Sequence, residues 1–218
     1  MSKVIVAFSA LAIVCAAAPA SATIVIYSTP GVVQPDENVL FQGPPPSGNN
    51  AFGVTSQTNL PVTFTGNELL ATPSSGQARI TGADGNLSQL AFALGTGLGF
   101  TEVEFNIFGT QATATSVMLN FTDQFGTVFS DDFAIGRGQN FFSARAFDDQ
   151  FITNVSFTLN GDVRDVRQFR IGGIGSIDDG GGAPSPVPEP QSWLLLMAGF
   201  GLVGASLRRR QAHRTVAA

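Results

Sequence analysis

Residues 101–108 read Thr101-Glu102-Val103-Glu104-Phe105-Asn106-Ile107-Phe108. Apolar Val103, Phe105 and Ile107 alternate with polar Glu102, Glu104 and Asn106. A period of two puts each set on its own face of a β-strand, one face buried and the other wet. The pattern recurs where Val117, Leu119 and Phe121 alternate with Met118, Asn120 and Thr122. It recurs again where Phe151, Thr153, Val155, Phe157 and Leu159 alternate with Ile152, Asn154, Ser156 and Thr158. Further strands are expected at Ile24–Tyr27, Val39–Phe41, Val62–Thr65, Ala78–Thr81, Leu90–Leu94, Thr127–Ser130 and Val166–Ile171. Gly-rich turn signals separate them, among them Gly82 to Asn86, Gly95 to Gly99, Asp123 to Gly126 and Gly136-Arg137-Gly138. No segment of this region sustains a period of 3.6. Short strands joined by Gly-rich turns predict an all-β fold, an antiparallel β-sandwich or jelly roll. Asn160-Gly161-Asp162 is expected to turn Phe151–Leu159 back onto Val166–Ile171 as a hairpin. Arg164, Arg167 and Arg170 lie on that last pair. They are expected to meet carboxylates such as Glu102, Glu104 or Asp165 across strands, in preference to forming an anion-binding patch.

Composition excludes several function classes. Between Thr23 and Val187 there are 6 basic and 15 acidic residues, so the net charge is 6 − 15 = −9. Nucleic-acid binding needs a basic footprint and is not expected. The same stretch contains no Lys, His, Cys or Trp, and its one Tyr is Tyr27. His213, the chain's one histidine, lies near the C-terminus. A Ser-His-Asp or Cys-His arrangement therefore cannot be built in this region, nor can a His-ligated zinc site. Stacking of sugars on exposed Trp has no candidate either. Cys15 falls in the N-terminal leader described below, so no disulfide is expected. The doublets Asp131-Asp132, Asp148-Asp149 and Asp178-Asp179 could offer oxygen to calcium, with Asp131, Asp132, Asp148 and Asp149 the candidate ligands. Neighbours on a strand point to opposite faces, so solvated loop charge is the preferred reading. No metal and no cofactor are expected.

Both ends of the chain read as handling signals. Lys3, the apolar run Val4 to Val14 and the small-x-small site Ala20-Ser21-Ala22 form a secretory signal peptide. Cleavage after Ala22 makes Thr23 the first mature residue. At the other end, Pro188-Glu189-Pro190 precedes an uncharged run from Trp193 to Leu207, opened by Trp193, Leu194, Leu195 and Leu196. Arg208, Arg209 and Arg210 follow it. The two prolines fix a stiff, extended handle. Fifteen apolar residues make a helix about 22 Å long, against a hydrocarbon core of about 30 Å. Such a helix is a short transmembrane anchor, with Trp193 at one interface and the arginines as a cytoplasmic stop-transfer cluster. Pro188-Glu189-Pro190 then lies outside.

This tail resembles the PEP-CTERM sorting domain. The matching residues are Pro188-Glu189-Pro190, the Trp193 to Leu196 opening, the Gly199-Phe200-Gly201-Leu202-Val203-Gly204 centre and Arg208 to Arg210. Gln211 to Ala218 extends beyond the point where such tails usually stop. The resemblance implies processing by an exosortase in a Gram-negative bacterium that makes extracellular polysaccharide, with this chain as the substrate. Residues 92–174 also look like the β-domain common in PEP-CTERM proteins. The likeness rests on the Phe-rich strand near Phe100–Phe108, the Asp123-Gln124-Phe125-Gly126 turn and a closing pair, Ile152 to Val155 with Val166 to Ile171. It implies no catalytic residues.

The expected organisation is a signal peptide helix (1–22), a β-sandwich ectodomain (23–178) and a Gly/Pro linker (179–186). A sorting tail (187–210) with a single transmembrane helix at 193–207 follows, and then a cytoplasmic extension (211–218). The expected function is that of an exported, non-enzymatic cell-surface or matrix protein. Its partners would be the secretion machinery, an exosortase, the bacterial membrane and extracellular polysaccharide. The alternative is a calcium-assisted carbohydrate-binding module.

Overall fold

The computed structural model describes residues 23–42, 44–73, 79–109 and 113–177. The expected signal peptide, linker, sorting tail and cytoplasmic extension lie outside the described residues, as does the Asp178-Asp179 doublet. The first strand starts at Ile24.

In chain order the strands are β1 (Ile24–Tyr27), β2 (Glu37–Leu40), β3 (Asn50–Thr55), β4 (Pro61–Gly66), β5 (Leu70–Ala71), β6 (Arg79–Gly82) and β7 (Leu87–Leu94). They continue as β8 (Leu98–Phe108), β9 (Ser116–Asp123), β10 (Val128–Ala134), β11 (Gln139–Ala146), β12 (Ile152–Val163) and β13 (Asp165–Ser176). Every pairing is antiparallel. Among the described residues there is no helix, so none is long and apolar enough to cross a membrane.

The all-β, antiparallel expectation holds. The two separate sheets of a sandwich do not. Following the pairings β8–β12–β7–β4–β3–β2–β13 returns to β8, so the sheet closes into a barrel with extra strands on its flanks. Two features close it. Ile152 of β12 pairs with Phe100 of β8 at one seam. At the other seam β13 pairs with β8 along one edge and with both β6 and β2 along its other edge. Outside the ring, β11 and β1 extend from β8, and β9 and β10 extend from β12.

The expected hairpin at Asn160-Gly161-Asp162 is absent: β12 and β13 do not pair with each other. The chain runs straight through these residues inside β12. The polar groups of that triplet serve the entry to β9 instead. Asn160 Oδ1 accepts from Thr115 N (2.8 Å) and Ser116 N (3.0 Å). Asp162 O accepts from Thr113 N and Ala114 N. A Cβ on Gly161 would sit 2.9 Å from Ala114 N, so this glycine permits a close backbone approach. The true corner is at Arg164, after which β13 pairs with β8.

The inner faces are Phe-rich. Phe64, Phe92, Phe105 and Phe169 pack with ring centroids 4.8–6.2 Å apart, several of them edge-on. These are the separations and tilts that aromatic quadrupoles favour. Val103, Phe105 and Ile107 are fully buried, as the alternation of β8 predicts. In β12 the phase slips. Ile152 is buried although it alternates with Val155, Phe157 and Leu159 in the wrong register. A bulge between Ile152 and Asn154 inserts one residue and switches faces. The extra residue, Thr153, donates its hydroxyl to the carbonyls of Thr122 and Asp123.

Candidate functional site

The outer face of β8 departs from the one-face-wet expectation. Glu104 and Asn106 are 7 % and 0 % exposed. Both lie under a polar system built across neighbouring strands. In register, Tyr27 of β1 stands opposite Ser143 of β11, and Ser143 opposite Glu104 of β8. Glu104 stands opposite Arg170 of β13, and Arg170 opposite Asn38 of β2. Paired residues share a face, so one polar row crosses five strands. Phe141, two residues before Ser143 on β11, shares this face, since Phe142 points to the core.

A cleft of about 330 Å³ opens over this row, lined by Asn38, Leu40, Glu104, Phe141, Gln168 and Arg170. That is at the small end of the ligand-site range, roughly 300–1,000 Å³. Gln168 takes its place there at a conformational cost. Its φ is +56°, the left-handed region that suits glycine. It is the extra residue of a bulge between Arg167 and Arg170. Its Oε1 accepts from Asn106 Nδ2 at 2.8 Å, and Asn106 Oδ1 accepts from Asn140 N at 3.0 Å.

The carboxylates beside β13 are satisfied very differently. Asp165, 1 % exposed, takes both a 2.7 Å bond from Arg167 Nε and a 2.7 Å bond from Arg167 Nη2. Arg164 and Arg79 approach it at 3.8 and 3.9 Å. Arg167 also lies 3.8 Å over the ring of Phe108. The carboxylate is fully paired, as a buried charge requires, although the buried Arg79 Nε has no protein partner. Glu104 is not so served. Its Oε2 accepts one long bond from Gly31 N (3.3 Å), and its Oε1 lies 3.9 Å from Arg170 Nη1. Beside it, the buried Ser143 Oγ and Arg170 Nε have no protein hydrogen-bond partner. Glu102, half-buried further along, pairs with Arg145 at 2.7 Å. Arg170 thus meets Glu104 across strands, as the sequence predicts, while Arg164 and Arg167 meet Asp165 within their own segment of chain.

The acidic doublets have separate structural settings. Asp131 and Asp132 are exposed on β10, an edge strand that pairs with β9 alone. Asp131 stands opposite Leu119, on the inward face between Phe129 and Phe133. Asp148 and Asp149 both have positive φ, 56° and 58°, and the turn closes from Gln150 N to Phe147 O at 3.2 Å. Two left-handed central residues are what a type I′ turn demands. The doublets do not converge, and among the described residues no three His, Cys, Asp or Glu side chains are placed to hold a metal.

The sorting residues Pro188, Glu189 and Pro190, the anchor from Trp193 to Leu207 and the cluster Arg208 to Arg210 lie outside the described residues. The cleavage residues Ala20 and Ala22 do as well, while Thr23 is described. The sequence identity of the tail is decisive here: in comparison with protein families, residues 186–210 match the PEP-CTERM protein-sorting motif. The chain carries a PEP-CTERM protein-sorting motif. Comparison with the curated proteins and with the solved structures found no match. The PEP-CTERM motif marks an exported protein that passes through a membrane-anchored intermediate, with an exosortase as its processing partner.

Sequence reasoning reached Glu104 and Arg170 as partners but missed the cleft around them. Its other lining residues include Asn38, Leu40, Phe141 and Gln168. The missing piece was β11. There, adjacent Phe141 and Phe142 face opposite ways, which hides the alternation. The one available signal was the pair of aromatics itself: two neighbouring Phe on a strand require an aromatic on each face.

Proposed function

We propose that the chain is a non-enzymatic surface protein whose β domain serves as a structural or adhesive component of extracellular polysaccharide. The observation that carries this reading is the PEP-CTERM motif at residues 186–210. In this reading the signal peptide is cut between Ala22 and Thr23, and Trp193 to Leu207 hold the chain in the inner membrane of a Gram-negative bacterium. Arg208, Arg209 and Arg210 stop transfer on the cytoplasmic side. The exosortase cuts near Pro188-Glu189-Pro190 and frees the domain to the cell surface. A helix of about 22 Å is barely long enough for the bilayer, which suits a temporary anchor. The non-enzymatic character rests on the missing Lys, His and Cys between Thr23 and Val187.

The test is the intact mass of the protein recovered from the extracellular polysaccharide fraction. The expected mass starts at Thr23 and ends near Pro190. A Glu189→Ala chain is expected to accumulate unprocessed in the membrane with its fold unchanged. A full-length C-terminus on the surface protein would sink the sorting mechanism. Recovery wholly in the free medium, with none in the polysaccharide, would sink the matrix role.

A further inference from the structure

We propose that the cleft between Glu104 and Arg170 is a calcium-independent binding site for a neutral glycan, read through adjacent sugar hydroxyls. The proposal rests on the polysaccharide role given above and names the surface that performs it.

The chemistry of the cleft selects the ligand. A sugar hydroxyl both donates and accepts, so it needs an acceptor and a donor side by side. Glu104 supplies the acceptor. It is 7 % exposed, yet its two oxygens receive one 3.3 Å bond and one 3.9 Å charge contact. Arg170 supplies the donor, with a buried Nε that no protein group accepts from. Ser143, 1 % exposed and directly opposite Glu104, adds a second buried polar atom without a partner. Buried polar groups are ordinarily satisfied, and each exception needs a reason. Two adjoining ones on one polar row, flanking an underserved carboxylate beside a cleft of ligand size, share a reason if hydroxyls complete them. The half-buried Phe141 lines the same cleft, and Tyr27 stands on the same face. Aromatic faces of this kind stack on the C–H faces of pyranose rings.

Two contrasts narrow the class further. Asp165, on the same strand as Arg170, is saturated by arginines and has no capacity left. Domain charge also argues against an anionic polymer. With a net charge of 6 − 15 = −9 between Thr23 and Val187 and a carboxylate in the cleft, a uronate is repelled where a neutral sugar is not. Gln168 supports a binding role independently. Glycine would be the cheaper residue at its φ of +56°, and strained side chains of this kind concentrate at functional sites.

Isothermal titration of the full chain in detergent, with chelator present, tests the proposal. The probes are cellohexaose, laminarihexaose and mannohexaose, with hexagalacturonate as the charged arm. Binding of at least one neutral hexamer is expected, in preference to the galacturonate. Gln168→Gly should weaken it at least 10-fold while the melting temperature holds or rises. Phe141→Ala and Ser143→Ala should weaken it as well, and Ser143→Ala should leave the fold intact. No binding of any neutral hexamer at millimolar concentration overturns the proposal. So does binding of the galacturonate alone, or neutral binding that survives Gln168→Gly and Phe141→Ala. Processing is read separately by intact mass, so a failure here leaves the sorting mechanism standing.

Discussion

Glu37 shows how a buried carboxylate is held at the level of single atoms. Its Oε2 accepts from Gln57 N at 3.0 Å, Thr58 N at 2.9 Å and Thr58 Oγ1 at 3.0 Å. Burial pushes its carboxyl up. The amides of Thr58 and Gln57, with the hydroxyls of Thr58 and Thr55, outweigh that and hold it below the ordinary value. A carboxyl depressed in the folded state contributes stability that is present above its unfolded pKa and lost as pH falls through the folded one. The melting temperature is therefore expected to fall as pH drops below about 4.3. Glu37→Gln should lower stability at neutral pH and flatten part of the acid decline. Identical pH slopes for parent and variant in melts from neutral to acid would remove Glu37 from the account. None of this was legible in the sequence. Glu37 precedes its partners by twenty residues, and the acceptors and donors meet only when β2 pairs with β3.

At the level of elements, the loops divide into those whose chemistry the sequence states and those it conceals. Asp123-Gln124-Phe125-Gly126 reads as a turn and is one. Asp123 Oδ1 accepts from Phe125 N (2.8 Å) and Thr127 N (2.7 Å), and Gly126 takes a φ of +82°. Its Oδ2 then accepts from Gln150 Nε2 at 2.6 Å, tying this turn to the one before β12. Asp148-Asp149 reads as charge and is in fact a conformational choice. Asp tolerates the left-handed region better than most residues, but less well than Asn-Gly. Replacing Asp148-Asp149 with Asn-Gly is expected to stabilise the fold, seen as a raised denaturation midpoint with unchanged slope. A lower midpoint would show that the carboxylates themselves matter. Asn160-Gly161-Asp162 is the opposite case. It has the composition of a hairpin turn, yet its glycine makes room for residues 113–114 and its polar atoms cap β9. Local pattern cannot distinguish a bend from a place where another backbone passes closely. The edge strand β10 carries exposed Asp131 on its inward face, a charge that discourages a second chain from adding there.

Across the whole molecule, strand periodicity revealed the class, and long-range pairing decided the closure. Val103, Phe105 and Ile107 announce a buried face, but nothing local says that β13 will bridge β8 to both β2 and β6. The cleft was hidden for the same reason: its lining comes from four strands spread between Asn38 and Arg170. Phe169 sits where the walls converge, against Phe41, Phe64, Phe92 and Phe105. Phe169→Ala is expected to cost about 3–5 kcal/mol, a large share of a domain stability of about 5–15 kcal/mol. Chemical denaturation measures it, and a loss under 1 kcal/mol would show that the barrel interior repacks around the gap.

The placement of β13 has a mechanical consequence. This strand is the last described element, and the sorting tail follows it in the chain. Any tension on the tail therefore enters the domain at the C-terminal end of β13. Its twelve residues are laddered to β8 on one side and to β2 and β6 on the other. Load directed along the strand shears many hydrogen bonds together, where a peeling load would break them one at a time. Gln168 and Arg170, which line the cleft, belong to the same strand. A grip on the cleft and a pull from the tail are thus joined through a single strand braced on both sides, and the rest of the barrel carries little of the strain.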